Sequence, residues 1–175
     1  YNRHPLLYQF TQEKLAEKPN EQRETRDKHT KFYLELSEEA EPLFYSRNAK
    51  TSLIRFDEEL ANVRTILASV EGELGLHFMG HLAEFWSFRG LYQEGRHYLK
   101  TFLDQAPNKT SPFYLKGLAT LADFSWLQGD FEEAKLHLEQ AIHLTQRVDD
   151  KNAKSEILWL LARIYQFNYR DSAKA

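Results

Sequence analysis

The sequence predicts an all-α fold of antiparallel helix pairs stacked in series, and three observations lead there. Apolar residues recur at spacings of three and four along almost the entire chain, the period of an amphipathic helix. Clean alternation of apolar and polar residues, the mark of a half-buried strand, is confined to the first few positions. A helix–turn–helix unit then repeats 39 residues downstream. FWSFRGLYQEGRHYLKTFL from Phe85 overlays FSWLQGDFEEAKLHLEQAI from Phe124, with Gly90 falling on Gly129.

The elements follow in order. From Glu21, EQRETRDKHTKFYLELSEEAEPLF sets His29, Phe32, Tyr33, Leu36 and Ala40 on one helical stripe, and Pro42 with Ser46-Arg47-Asn48 closes or kinks it. Thr51 or Ser52 can cap the next helix, with stripe Leu53, Phe56, Leu60, Val63 and Leu67, and Gly72 and Gly75 end it. LHFMGHLAEFWSFRG and LYQEGRHYLKTFLDQAP are helices separated at Gly90. Asn108-Lys109-Thr110 is a polar connection, and Ser111-Pro112 reads as an N-cap with proline in the first turn. In WLQGDFEEAKLHLEQAI, Gly129-Asp130 breaks the chain, Asp130 offers an N-cap oxygen, and Glu133 stands in capping-box position. Residues 1–20 precede these elements, 21–75 form a lead-in hairpin, and 76–175 hold repeats 76–114, 115–153 and a truncated 154–175.

The 39-residue shift extends through both helices of the unit. Met79, Leu82, Ala83 and Trp86 become Leu118, Leu121, Ala122 and Ser125, while Glu94 and Leu99 become Glu133 and Leu138. A further shift reaches Ile157, Leu160, Leu161 and Ile164, with Asn168 at the glycine and Ala173 at the Ala134 position. This pattern resembles the tetratricopeptide repeat (TPR), a helix–turn–helix of about 34 residues. Its signature is matched by Met79-x2-Leu82-Ala83-x2-Trp86, Gly95-x3-Leu99 and Pro107, then by Leu118-x2-Leu121-Ala122-x2-Ser125 and Ala134-x3-Leu138. Ala83, Gly95, Ala122 and Ala134 are expected where helix backbones approach closely. The departures are the longer period and Gln146 in place of a second proline. The competing reading is a plain helical bundle with a chance internal match.

Composition narrows the function classes. The chain has 175 residues, 42% of them hydrophobic and 28% charged, and a net charge of −3. With pI near 6.2, no global basic field draws nucleic acid or anionic lipid, so neither nucleic-acid contact nor a membrane is expected. There is no cysteine, which removes disulfides and thiolate chemistry and suits a reducing, cytoplasmic setting. No apolar run approaches the roughly 20 residues of a membrane span. The opening YNRHPLLYQF carries neither initiator Met nor signal-peptide pattern, and reads as cut from a longer protein.

A second resemblance uses the first half of the chain. RHPLLYQFTQEKL at 3–15, RDKHTKFYLELSEEAEPL, FDEELANVRTIL and the helix around LGLHFMGHLAEFW occur in this order. Together they are similar to the region after the nucleotide-binding and winged-helix modules of STAND-class regulatory ATPases, the maltose-activator and LuxR-type bacterial regulators. The resemblance implies that residues 1–20 are the tail of a winged helix and linker, that a TPR-like right-handed superhelix follows, and that the parent protein is a signal-transduction ATPase and transcriptional regulator.

The residues offer little chemistry. The seven glycines form neither G-x-x-x-x-G-K-[ST] nor G-x-G-x-x-G, and no helix clusters Arg and Asn for reading DNA. His77 and His81 have a metal-compatible i, i+4 spacing, but Phe78 excludes H-E-x-x-H and no third ligand follows in sequence. One exposed and one packed histidine is therefore expected. Glu58-Glu59 with Asn62 reads as capping or a bond to a neighbouring helix, and Asp149-Asp150 as a loop charge pair. Glu132-Glu133 with Lys135 reads as a solvated face near a helix N-terminus. No nucleophile is paired with a base, so the expectation is a non-enzyme without catalytic residues, cofactor or metal.

Three functions remain open: the sensor or scaffold arm of a STAND regulator, binding a protein, peptide or small inducer; a generic TPR-like adaptor unconnected to an ATPase; and a helical domain with an undetected hydrolase site. In TPR-like proteins the first helices line a concave face. By that resemblance the stripes His77, Gly80, Glu84, Ser87, then Lys116, Ala119, Asp123, Trp126, then Ser155, Leu158, Ala162, Tyr165 share one groove. The partner-binding residues are then His77, Glu84, Ser87, Lys116, Asp123, Trp126 and Tyr165, the alternative being that Trp126 packs on the neighbouring repeat. Self-association through the incomplete third repeat is also expected.

Overall fold

A computed structural model of the chain describes residues 18–148 together with 151, 154, 155, 158, 159, 161, 162 and 166. The readings placed on residues 1–17, Asp149-Asp150, Ile157, Leu160, Ile164, Tyr165, Asn168 and Ala173 lie outside these residues. The chain divides into two units, 1–36 and 37–175. Seven helices run through residues 19–145: α1 Pro19–Phe44, α2 Ala49–Leu67, α3 Gly72–His81, α4 Ala83–Phe88, α5 Tyr92–Gln105, α6 Pro112–Leu127 and α7 Phe131–Thr145. The described elements are all helical, as the periodicity predicts. None is long and apolar enough to cross a membrane.

The described part of the first unit is the leading stretch of α1, with exposed i, i+3 and i, i+4 pairs such as Lys18–Glu21 at 2.8 Å and Lys31–Glu35 at 3.7 Å. Of the expected stripe, Tyr33 and Leu36 are buried, but His29 is exposed and Phe32 is 54% exposed. The burial instead follows Tyr33, Leu36, Ser37, Ala40 and Phe44, a narrower face at the same period. Pro42 does not close the helix. It lies inside the last turn, so its missing N–H costs one hydrogen bond close to the helix end.

The second unit begins within α1. Three element boundaries differ from the sequence reading. α2 starts at Ala49 with Asn48 in the N-cap position, so Ser52 is a buried helix residue instead of a cap. Gly72 opens α3, not the end of α2. Its φ of +48° suits glycine, and its N–H donates to Gln105 Oε1 at 3.0 Å. Leu82, at φ −98° and ψ 8°, interrupts the first helix of repeat one and separates α3 from α4.

The repeat is visible in the backbone. After each first helix a left-handed glycine, Gly90 at φ +66° and Gly129 at φ +85°, turns the chain. In each turn the next residue's N–H reaches the carbonyl five residues back, Leu91 to Trp86 and Asp130 to Ser125, both at 2.9 Å, the Schellman arrangement. The second turn explains why Glu133 forms no capping box: the Asp130 N–H is already bonded. Ser111 does cap α6, its hydroxyl accepting from the Tyr114 N–H at 3.1 Å with Pro112 behind it.

α3 packs on α5 and α6, α5 on α6, and α6 on α7. The equivalent positions Met79 and Leu118, Leu82 and Leu121, Trp86 and Ser125, Leu99 and Leu138 are buried in both copies. Each large side chain among them contributes roughly 1.5–3 kcal/mol by leaving water. Gly95 and Ala134 are buried too, but at Gly95 the close neighbour is a ring instead of a helix backbone. A Cβ there would stand 2.5 Å from Phe124 Cε2. An aromatic line, Phe44–Phe56–Phe85–Trp86, joins the end of α1 through α2 to α4 at centroid spacings of 5.7–5.9 Å.

Candidate functional site

The first-helix stripe of repeat one lies beneath the C-terminal end of α1. Residues 38, 41 and 45 are spaced by three and four, so Glu38, Glu41 and Tyr45 share a helix face; Glu38 and Tyr45 engage that stripe, and Glu41 engages His81 beside it and Lys116 of repeat two. His77 Nε2 lies 3.3 Å from Glu38 Oε1. His81 Nδ1 lies 2.5 Å from Glu41 Oε2, and Lys116 Nζ donates to Glu41 Oε1. The Tyr45 hydroxyl donates to Glu84 Oε1 at 2.9 Å. Gly80 makes room for Lys116, whose Cδ would sit 3.2 Å from a Cβ at that position.

The electrostatics follow from this geometry. Burial alone would raise the Glu41 carboxyl, but hydrogen bonds from His81 and Lys116 outweigh it and hold its pKa at about 2. Burial pushes His77 below its ordinary value. The His77 ring also lies on Phe113, with centroids 3.9 Å apart. Neither histidine of the 77/81 pair is exposed: their side chains retain 22% and 14% of their accessible surface. The expectation of one exposed and one packed histidine is corrected, because a carboxylate helix face covers both.

The other end of the stripe is different. Ser87, Asp123 and Trp126 are half-buried and Ala119 is buried, while Ser155, Leu158 and Ala162 are exposed. Trp126 meets Phe131 edge-on, centroids 4.6 Å apart, and Leu127 and Phe131 beside it are exposed. The structure thus brings His77, Glu84 and Lys116 together under α1 and sets Trp126 apart with Phe131. Glu38, Glu41, Tyr45 and His81 were missing from the sequence-derived set. Their 38/41/45 spacing was legible, but nothing local indicated what that face meets.

A second polar cluster ties the repeats to each other. Glu133 takes Arg96 and Lys100 from α5, the latter at 2.5 Å, and accepts from the Ser125 hydroxyl at 3.2 Å. Arg96 also pairs with Asp130 at 2.5 Å, so the Asp130 side chain makes no cap bond. Burial would raise Glu133, yet Lys100 and Arg96 hold it at about 2. The solvated-face reading therefore holds for exposed Glu132 and Lys135 but not for Glu133. The equivalent Glu94 is gripped by Arg64 of α2 through two bonds of 2.7 and 2.6 Å. In both copies the third residue of the second helix is held by a basic residue of the preceding second helix. His137, within reach of Glu133, is pushed down by burial.

Elsewhere, Asn62 bonds Glu59 within its own helix at 2.7 Å. On the same helix, Asp57 accepts from Nε and Nη2 of Arg89. Compared with known proteins, the chain matches no family model, no curated protein and no solved structure.

Proposed function

We propose that this chain is a non-catalytic, TPR-like arm of a STAND-class regulatory ATPase, its antiparallel helix pairs stacked as a right-handed superhelix. It captures a protein or peptide on the first-helix stripe around Trp126 and passes that event to the parent protein. The observation that carries this reading is the repeated unit itself: the same Schellman turn, the same buried positions, and the same acid gripped from the preceding pair at Glu94 and Glu133. Units that contact only their neighbours build extended surfaces suited to binding. Trp126, with exposed Phe131 and Leu127 alongside, is of the residue type that most often anchors interfaces. His77, Glu84 and Lys116 act differently in this account, since α1 covers them. They hold the last turns of α1 on the first helices of repeats one and two.

The test is a random-peptide selection against the chain, followed by affinity measurement on Trp126→Ala. Loss of an aromatic anchor at the centre of the contact reduces affinity at least about 30-fold, the equivalent of roughly 2 kcal/mol, with the circular dichroism unchanged. Selected peptides that bind the folded variant as tightly as the parent chain would place the contact elsewhere and defeat the proposal.

A further inference from the structure

Glu38, His77 and His81 each offer one ligand atom, and the three atoms lie within 4.8 Å of one another. The helix supplies two of them, because residues four apart lie one above the other; the His77 and His81 ring centroids are 4.6 Å apart. The last turns of α1 supply the third. Glu38 Oε1 is 3.3 Å from His77 Nε2 and 3.8 Å from His81 Nε2. Bonds of about 2.0–2.2 Å to a tetrahedral zinc ion separate its ligand atoms by about 3.4 Å. Both nitrogen–oxygen distances are close to that spacing already.

Two further observations point to a cation at this place. Glu41 takes the Nδ1 side of His81 at 2.5 Å. A carboxylate only accepts, so Nδ1 carries a proton, and in the neutral ring the lone pair is then on Nε2. This is the arrangement by which proteins fix the tautomer and direction of a metal-binding imidazole. His81 Nε2 itself is buried and has no hydrogen-bond partner. A buried acceptor nitrogen facing a carboxylate oxygen is an unsatisfied pair, and a cation between the two satisfies both. The formal charges agree: Glu38 and Glu41 against Lys116, which pairs with Glu41, leave one negative charge beside two imidazoles.

We propose that Glu38, His77 and His81 form a binding site for one divalent transition-metal ion of the zinc type, with Glu41 as the positioning residue for His81. Two imidazoles and a carboxylate suit such an ion, and the three ligands leave a fourth position for water or a partner's side chain. Because Glu38 comes from α1 and the histidines from α3, the ion fastens the lead-in helix to the first repeat. This inference stands independently of peptide capture at Trp126.

The experiment is calorimetric titration of the chelator-treated full chain with zinc chloride, with Co2+ absorption as a second readout. The expected result is one ion per chain, a raised melting temperature, and the visible Co2+ band of a four-coordinate nitrogen–oxygen site. Glu38→Gln and His81→Gln abolish stoichiometric binding, and Glu41→Gln weakens it about 10- to 100-fold. Glu38 is nearly half exposed, so its variant keeps the test decisive if the His81 variant does not fold. Unchanged binding in folded Glu38→Gln puts the ion elsewhere and overturns the proposal. Failure of the parent chain to bind either ion, with nitrogen NMR finding both His81 nitrogens protonated between Glu38 and Glu41, makes the cluster an ion-pair network and also overturns it.

Discussion

Replacing Glu133 by Gln keeps the shape of the side chain and removes the charge that Arg96 and Lys100 share. In the folded chain this carboxyl is held at about 2 against the usual 4.5. A gap of about 2.5 units corresponds to at most about 3.4 kcal/mol. Glu133 keeps 26% of its side-chain surface in solvent, and screening brings the expected contribution to about 1–2 kcal/mol. The sign follows from the lowered pKa: the contribution is fully present above the unfolded value and fades as the pH falls from about 4.5 toward 2. Urea unfolding followed by circular dichroism should therefore find Glu133→Gln less stable than the parent by about 1–2 kcal/mol at pH 7. The difference should shrink through pH 4 and vanish below pH 2. A constant difference across this range, or none at pH 7, would refute the claim that this ion-pair cluster ties the second repeat to the first.

Gly95→Ala drives a Cβ into the Phe124 ring and should cost about 1–3 kcal/mol, outweighing a helix-propensity gain of about 1 kcal/mol. Adding Phe124→Leu should recover much of the melting temperature. Gly129→Ala meets no neighbouring atom but must hold φ at +85°, so a loss of about 1–2 kcal/mol that Phe124→Leu does not rescue is expected in the same assay. Arg96→Ala should destabilise more than Arg64→Ala in urea, because 16% of the Arg96 side chain is exposed against 45% for Arg64. Trp159, 66% exposed beside Leu158, should drive weak self-association, so Trp159→Ser should lower the weight-average mass in sedimentation equilibrium at high concentration.

The helices and the repeat were legible because both rest on short-range pattern. Spacings of three and four marked the helices, and one glycine per copy, at Gly90 and Gly129, marked a turn that only a left-handed residue makes well. Gly72 and Gly75 were read as helix enders because both glycine roles look alike in sequence. In the fold one opens a helix and the other yields space to Phe102. Glu133 was misread for a similar reason. Its capping-box position is a local signal, whereas Arg96 and Lys100 come from another helix and the Asp130 N–H is taken by Ser125. The groove residues were legible only as a stripe. That Glu38, Glu41 and Tyr45 lie over half of it depends on how α1 returns to the first repeat, a long-range fact with no local mark.

Peptide capture at Trp126 is most directly tested by following the three tryptophan indole N–H signals by NMR while a selected peptide is added. Trp86 is fully buried, Trp126 half-buried and Trp159 exposed, so their responses separate. The account predicts a saturable shift of the Trp126 signal with the peptide, abolished in Trp126→Ala, while Trp86 stays in place. A shift confined to Trp159, with Trp126 unmoved at saturation, would contradict it.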